Sequence, residues 1–462
     1  MSKLRFDGFD LLLVLGLLGL FLLLAASSLR PAKFGDQLIH TDAKRLAAVF
    51  RGAASWREAT FTLAPGPVLY YAIPYAAVRP GSPDEAYWRA GFVFTIFAMA
   101  AALLILRRAG ALAGGEAAGR AAAAMALLLP FAVYYSYGNS AEPLSYIGAC
   151  VLGYGWARNR SGHAAGARGR WPTVPVMCAG LLLLLLARPT AILVIPLMLA
   201  SAFVLWRFRA TMESRREAVN ISYAALAAAL VVAGVSLGVA ALPRNRIVSS
   251  QHDNFYQTVF QGCFQFRKEP FDWRHWTKDV RVGSVDYADW LRTREALLAQ
   301  AASTGVPYWR LRPAWVLGDF EQHPVLHLRM SAIRLLALHV WRVNSLLPAD
   351  FRFAGMGGRF WFYAFHLVVN GANCLLLGIC LRFFWRNRQN LATLWMLWAP
   401  WLALAVFHSM LYVEARYLFA SLPGLYLAAA LALSPARAES AARRQAAGNA
   451  EAVECGRPLT SA

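Results

Sequence analysis

The chain has 462 residues, 58% of them hydrophobic, and its 46 Lys and Arg against 25 Asp and Glu give a formal charge of +21. A soluble domain with a mean hydropathy of +0.42 would lack the polar surface to cover itself, and a nucleic-acid-binding protein of this charge would not carry repeated long apolar runs. A polytopic membrane protein remains, and in such a chain basic side chains first report topology, because cytoplasmic loops collect them.

A bilayer core needs about 20 apolar residues per helix, and by run length and flanks about ten spans emerge. They run from Asp10 to Leu29, Ala86 to Leu106, Ala121 to Ser136, Glu142 to Ala157, Pro172 to Ala187, Thr190 to Trp206, Asn220 to Leu242, Phe360 to Leu381, Leu391 to His408 and Tyr417 to Leu433. The first is too long for a typical signal-peptide core and reads as a retained anchor. With the N-terminus inside, the cytoplasmic segments collect Arg107, Arg108 and Arg120, then Arg158 and Arg160, Arg207 to Arg216, and Arg382 to Arg388. The short outer turns 137–141 and 409–414 hold no Lys or Arg. That contrast puts both termini in the cytoplasm. The organisation expected is a seven-span module over 1–242, an outer region over 243–359, three further spans over 360–434 and a polar tail over 435–462 whose composition reads as disordered.

Two outer segments are left for chemistry, 30–85 and the aromatic-rich 243–359, whose rings suit sugar stacking, a small core or an interfacial belt. The first opens Phe34-Gly35-Asp36-Gln37, and after Asp42 the residues Leu46, Val49, Phe50 and Ala53 mark one helix face that Gly52 helps to end. Lys44, Arg45 and Arg51 on the other side suit a helix lying on headgroups. Asp42 would begin this helix, where a carboxylate serves either as an N-cap or as a reactive group at membrane depth. A Pro-Gly turn at Pro65-Gly66-Pro67 leads into the aromatic run Val68-Leu69-Tyr70-Tyr71, too short to span. His323 and His327 lie four apart and could place two imidazoles on one face as ligands of a divalent cation, although Pro324 followed by Leu326, Met330 and Ile333 also reads as an outer amphipathic helix. No Walker loop or dinucleotide glycine motif is present, so a soluble nucleotide donor is not expected. Of the six cysteines only Cys263 falls on the oxidising side, which argues against an internal disulfide framework.

An Asp after the first span, a helix of pattern D-x-x-x-L-x-x-x-x-x-G and then P-G-P-x-x-Y-Y resemble the C-type glycosyltransferases (GT-C fold). These are polytopic enzymes using polyprenyl-phosphate sugars, among them protein O-mannosyltransferases and lipid A aminoarabinose transferases. Asn139-Ser140-Ala141-Glu142-Pro143 resembles the acidic entry to their fourth span, Ala187-Arg188-Pro189 their R-P turn, and Gln322-His323-Pro324 the start of their outer helix. Glu414-Ala415-Arg416-Tyr417 with Leu422-Pro423-Gly424 resembles their last-span signature. The resemblance implies an all-α membrane enzyme of a bacterial inner membrane whose site faces outward. It would move a sugar, with inversion, from a polyprenyl-phosphate donor to a glycolipid, polysaccharide or protein. Carried over, the base is Asp42, with Asp36 as the alternative; the phosphate is held by Arg416 and Arg188, with Lys44 and Arg45 as further cations. The acidic residue that often follows the base in the family is here Ala43. Glu142 would bind a metal, position the acceptor or cap its own helix. A flippase or exporter of lipid-linked saccharides and an O-antigen-type polymerase or ligase are the competing classes; the first predicts charges at mid-span, where this chain has nearly none.

Overall fold

The computed structural model describes residues 6–26, 37–62, 64–129, 141–161, 173–208, 211–242, 257–269, 284–339, 352–353, 356–410, 418 and 420–434. Asp36, Arg416 and the tail 435–462 lie outside them. Fifteen α-helices carry the described part of the chain: α1 (Gly8–Ala26), α2 (Gln37–Phe50), α3 (Pro65–Ala76), α4 (Asp84–Gly114), α5 (Glu116–Leu128), α6 (Glu142–Ser161), α7 (Thr173–Ala187), α8 (Val194–Phe208), α9 (Met212–Ala240), α10 (Val285–Thr304), α11 (Tyr308–Gln322), α12 (Pro324–Ala337), α13 (Gly358–Arg386), α14 (Trp395–Met410) and α15 (Leu422–Leu433). A two-residue antiparallel pairing, Arg352–Phe353 with Met356–Gly357, precedes α13.

Five of the described helices are long and apolar enough to cross a membrane: 84–114, 190–208, 214–240, 367–386 and 388–410. Gly8–Leu22, Thr173–Ala187 and Leu422–Leu433 are apolar but shorter. The ten spans expected from run length are therefore not reached among the described residues. The expected span 121–136 is described only as α5, to Leu128, and α6 is a polar-ended helix with most of its residues buried in the bundle.

α6 and α7 pack closely through glycine. A β-carbon on Gly148 would stand 2.7 Å from the Leu184 nitrogen, and one on Gly180 would collide with the Leu152 nitrogen. Small residues at such a crossing let two backbones approach and gain dispersion contacts where lipid removes the usual hydrophobic drive. Ala102, Leu106, Ala122, Met177, Leu181, Trp395 and Leu427 extend this contact into one buried core.

The bundle has two chemically distinct ends. At one, Arg107 pairs with Asp7, Asp10 and Glu116, so this arginine, expected to report topology alone, has a structural role: it ties α1, α4 and α5 together. Gly114 meets Leu431 at the same end. At the other, Tyr87, Leu144 and Ala187 close onto α2 and α3. The structure thus groups chain positions 107–116 with 431, and 42, 87, 144 and 187 with one another.

Gly66 fixes that second grouping. A β-carbon there would lie 2.7 Å from both the carbonyl carbon and the oxygen of Leu186, so α3 begins directly on the last turn of α7. We predict that Gly66→Val pushes α3 off α7 and lowers the Tm of the purified protein by several degrees, consistent with an overpacking cost of about 1–3 kcal/mol. An unchanged Tm would contradict this contact.

Candidate functional site

α2 begins at Gln37, not after Asp42, so Asp42 is a mid-helix residue and the N-cap expectation is corrected. Helix propensity is overridden by tertiary partners here. Ile39, Ala43, Leu46 and Ala47 supply a buried stripe, and Asp42 faces the same side, 2% exposed. Its carboxylate accepts from Thr60 Oγ1 and from the Thr62 backbone N–H, both at 2.6 Å. The helix ends as expected at Gly52, at φ +71°, with the Gly52 N–H donating to Val49 and the Ala53 N–H to Ala48. That is the paired closure of a Schellman motif, in which glycine avoids the steric cost of the left-handed conformation.

The basic side chains of α2 are engaged by protein rather than turned freely toward headgroups. Lys44 Nζ lies 2.5 Å from Asp84 Oδ1, Arg45 donates to Thr60 Oγ1 at 3.0 Å, and Arg51 donates to the Tyr75 and Val78 carbonyls. Each bond runs from α2, or from Arg51 just past it, to Thr60, to the C-terminal end of α3 or to the start of α4, which joins these elements as one packed unit.

His40 and Asp84 are candidate site residues that sequence reasoning missed. The His40 ring stacks on Trp88 at 4.4 Å, its Nδ1 is 2.9 Å from the Tyr75 hydroxyl, and its Nε2 is 3.4 Å from Asp84. Asp84 is 60% exposed and is the open carboxylate of the group. No periodicity links positions 40, 75 and 84, and Pro83-Asp84-Glu85 reads alone as an ordinary helix start, so only the folded chain reveals the cluster.

Burial pushes the His40 imidazole below its ordinary value of 6.5, against the opposing pull of Asp84. A depressed folded value means that the unfolded chain binds the proton more readily, so stability falls as pH drops through about 6.5 toward the folded value. We predict that acid sensitivity of the Tm in this window is reduced in His40→Gln; an equal slope in variant and wild type would contradict it.

Glu142 and Arg188 are brought together from the starts of two different turns. Arg188 is extended, as the residue before a proline must be, and its guanidinium bonds the Glu142 carboxylate, which is 2% exposed. One oxygen of the Glu142 carboxylate is engaged in this ion pair, which gives the residue a partner beyond its own helix. α14 packs on the turn 189–193, bringing buried His408 into electrostatic reach of Arg188. Leu144 and Ala187, each two residues or fewer from this pair, share a hydrophobic cluster with Ile39, Ala43 and Ala47 of α2. Asp42, Glu142 and Arg188 therefore occupy one end of one packed unit.

His323 and His327 do not converge. His323 is exposed and His327 is buried, because α12 turns His327, Met330 and Arg334 inward while Val325, Leu328 and Leu336 face out. The amphipathic helix with Pro324 in its first turn is present, but its polar stripe faces the protein. His327 instead meets Asp319, Nε2 to Oδ2 at 2.9 Å, and Arg267 grips both oxygens of Asp319 at 2.8 and 3.0 Å. Burial acts to raise the Asp319 carboxyl, but the bonds from His327 and Arg267 outweigh it and hold it at about 2. Donor atoms of Cys263, Asp319 and His327 lie within 4.8 Å of one another, a set whose chemistry suits a zinc-like cation. With Asp319 already bonded twice by Arg267, the cluster also joins segment 257–269 to α11 and α12 without a metal.

Arg334 completes that joint. It is 1% exposed and donates to the carbonyls of Gly262 and Gln265 and, at 3.4 Å, to those of Ser409 and Met410 at the end of α14. Burial pushes its guanidinium down to about 10.

Among the described residues the chain is helical apart from one two-residue strand pairing, with membrane-length helices and a charged, aromatic-lined unit packed against one end of the bundle. No family model matches the sequence, and no curated protein matches it. Among solved structures, the archaeal oligosaccharyltransferase AglB from Archaeoglobus fulgidus, in complex with an inhibitory peptide and a dolichol-phosphate, is similar at a TM-score of 0.44 and 12% identity, over 99% of this chain and 53% of that one. The chain spans about half the length of that protein.

Proposed function

We propose that this protein is a membrane glycosyltransferase that moves a sugar from a polyprenyl-phosphate donor to an envelope glycolipid, polysaccharide or protein, on the outer face of a bacterial inner membrane. The observation that carries this reading is the gathering of Asp42, the Pro65-Gly66-Pro67 turn, Glu142 and Arg188 at one end of the bundle, although 146 positions separate the first from the last. Such a transfer needs a base for the acceptor hydroxyl and cations for the departing phosphate. Asp42 is the proposed base. A carboxylate has about four acceptor sites and two are used, so it keeps capacity for an incoming hydroxyl beside Thr60. A single base acting in direct displacement inverts the sugar carbon.

Arg188 is the proposed phosphate ligand among the described residues, with Glu142 holding its fork in place, and Arg416 is a second proposed ligand from the sequence. Lys44 and Arg45 are proposed to steer the donor. Asp36 stays the alternative base, and a divalent cation remains an optional partner rather than a requirement.

Binding of synthetic polyprenyl phosphate and polyprenyl diphosphate to the purified protein in liposomes tests the donor class. Tighter binding of the monophosphate is expected; a clear preference for the diphosphate would favour the polymerase or ligase class instead.

A further inference from the structure

The end of the bundle opposite Asp42 carries a cavity of about 680 Å³ between the last turns of α6, α13 and α15 and the 3-10 turn 388–394. Arg160, Arg382 and Arg386 converge on it with Asn387 and Asn390, and no Asp or Glu among the described residues lines it. Apolar lining comes from Ile379, Phe383, Leu394, Leu431 and Leu433. Its volume falls in the range of small-molecule sites, which run from about 300 to 1,000 Å³.

Topology alone explains basic residues at this end, but not their convergence. Arg160 comes from α6, and Arg382 and Arg386 stand one helical turn apart on α13, more than 200 positions away. The Trp156 indole donates to the Thr393 carbonyl at 2.9 Å, and Arg160 donates to the same oxygen, so the wall of the cavity is braced by the fold. Several guanidiniums beside amide donors, in a cavity whose described lining holds no Asp or Glu, fit a phosphate, because their planar forks match its oxygens. The apolar lining fits acyl chains, and basic pockets between membrane helices recur as sites for anionic lipid headgroups.

We propose that this cavity holds the phosphate headgroup of an anionic phospholipid, at the end of the bundle away from the proposed transfer site. Its role is to seat α6, α13 and α15 relative to one another. Native mass spectrometry of the full-length protein, loaded with phosphatidylglycerol or phosphatidylcholine, tests this. Wild type should retain phosphatidylglycerol at least tenfold better than phosphatidylcholine, and the Arg382→Gln/Arg386→Gln double variant should lose that preference. Arg207→Gln/Arg215→Gln, which removes exposed charges outside the cavity, should keep it. Equal retention by the two double variants would overturn the proposal. Inorganic phosphate binding that needs Arg382 and Arg386, without retention of phosphatidylglycerol, would also overturn it in favour of a free anion. Should the double variant fail to fold, Arg382→Gln alone gives the same reading through a partial loss of preference.

Discussion

Asp42→Asn is expected to reduce sugar transfer by about 10²–10⁴-fold, the range contributed by a positioned general base, while leaving membrane insertion intact. Asparagine keeps an acceptor oxygen for Thr60 or Thr62 but cannot take a proton. The geometry supplies the control. If Asp42 served only to hold the segment 60–62, removing Thr60 Oγ1 at 2.6 Å should do comparable harm. Under the base assignment, Thr60→Ala keeps most of its activity because it removes one bond and frees an acceptor site. Asp84→Asn completes the comparison: Asp84 bonds Lys44 and lies near His40, so its loss should weaken donor capture more than turnover. Comparable turnover in Asp42→Asn and wild type would remove Asp42 from the chemistry.

The second large effect concerns Arg188. Removing its guanidinium leaves the buried Glu142 carboxylate without that ion-pair partner, which costs about 3–5 kcal/mol when one member of a buried pair is lost. Arg188→Gln alone should therefore lose both stability and transfer, and cannot separate the two. The double variant Glu142→Gln/Arg188→Gln separates them, because two neutral amides can still bond each other. Its Tm should recover toward wild type while transfer remains lower by about 10²-fold or more, the size of effect seen when one preorganised charge stabiliser is removed. Recovery of transfer together with stability would make the pair purely structural.

Much of the fold class was legible because membrane helices announce themselves by apolar run length and by where arginines collect. The boundary of α2 was not. Asp42 is a favoured cap in sequence terms, yet Thr60 and Thr62, 18 and 20 positions away, satisfy it inside the helix. The same limit hid His40 and Asp84, whose partnership exists only once α2 packs against α4. It also misplaced His323, since spacing of four residues gives one helix face and does not say which way that face turns. Where a motif carried a backbone requirement, sequence reasoning went further. Pro65-Gly66-Pro67 and Ala187-Arg188-Pro189 appear as separate landmarks in the chain, and the contact of Gly66 with Leu186 makes them two sides of one joint. Pro423-Gly424 similarly lets α15 approach the Met396 carbonyl, at 2.8 Å from an added β-carbon.

If the unit built around Asp42 transfers a sugar from a lipid-linked donor, the product must appear in the cell envelope. Mass spectrometry of envelope glycans from cells carrying the wild-type protein, no protein or Asp42→Asn tests it most directly. The predicted result is one sugar modification present only with the wild type and absent to the same degree in the other two. Identical glycan profiles in all three would contradict it.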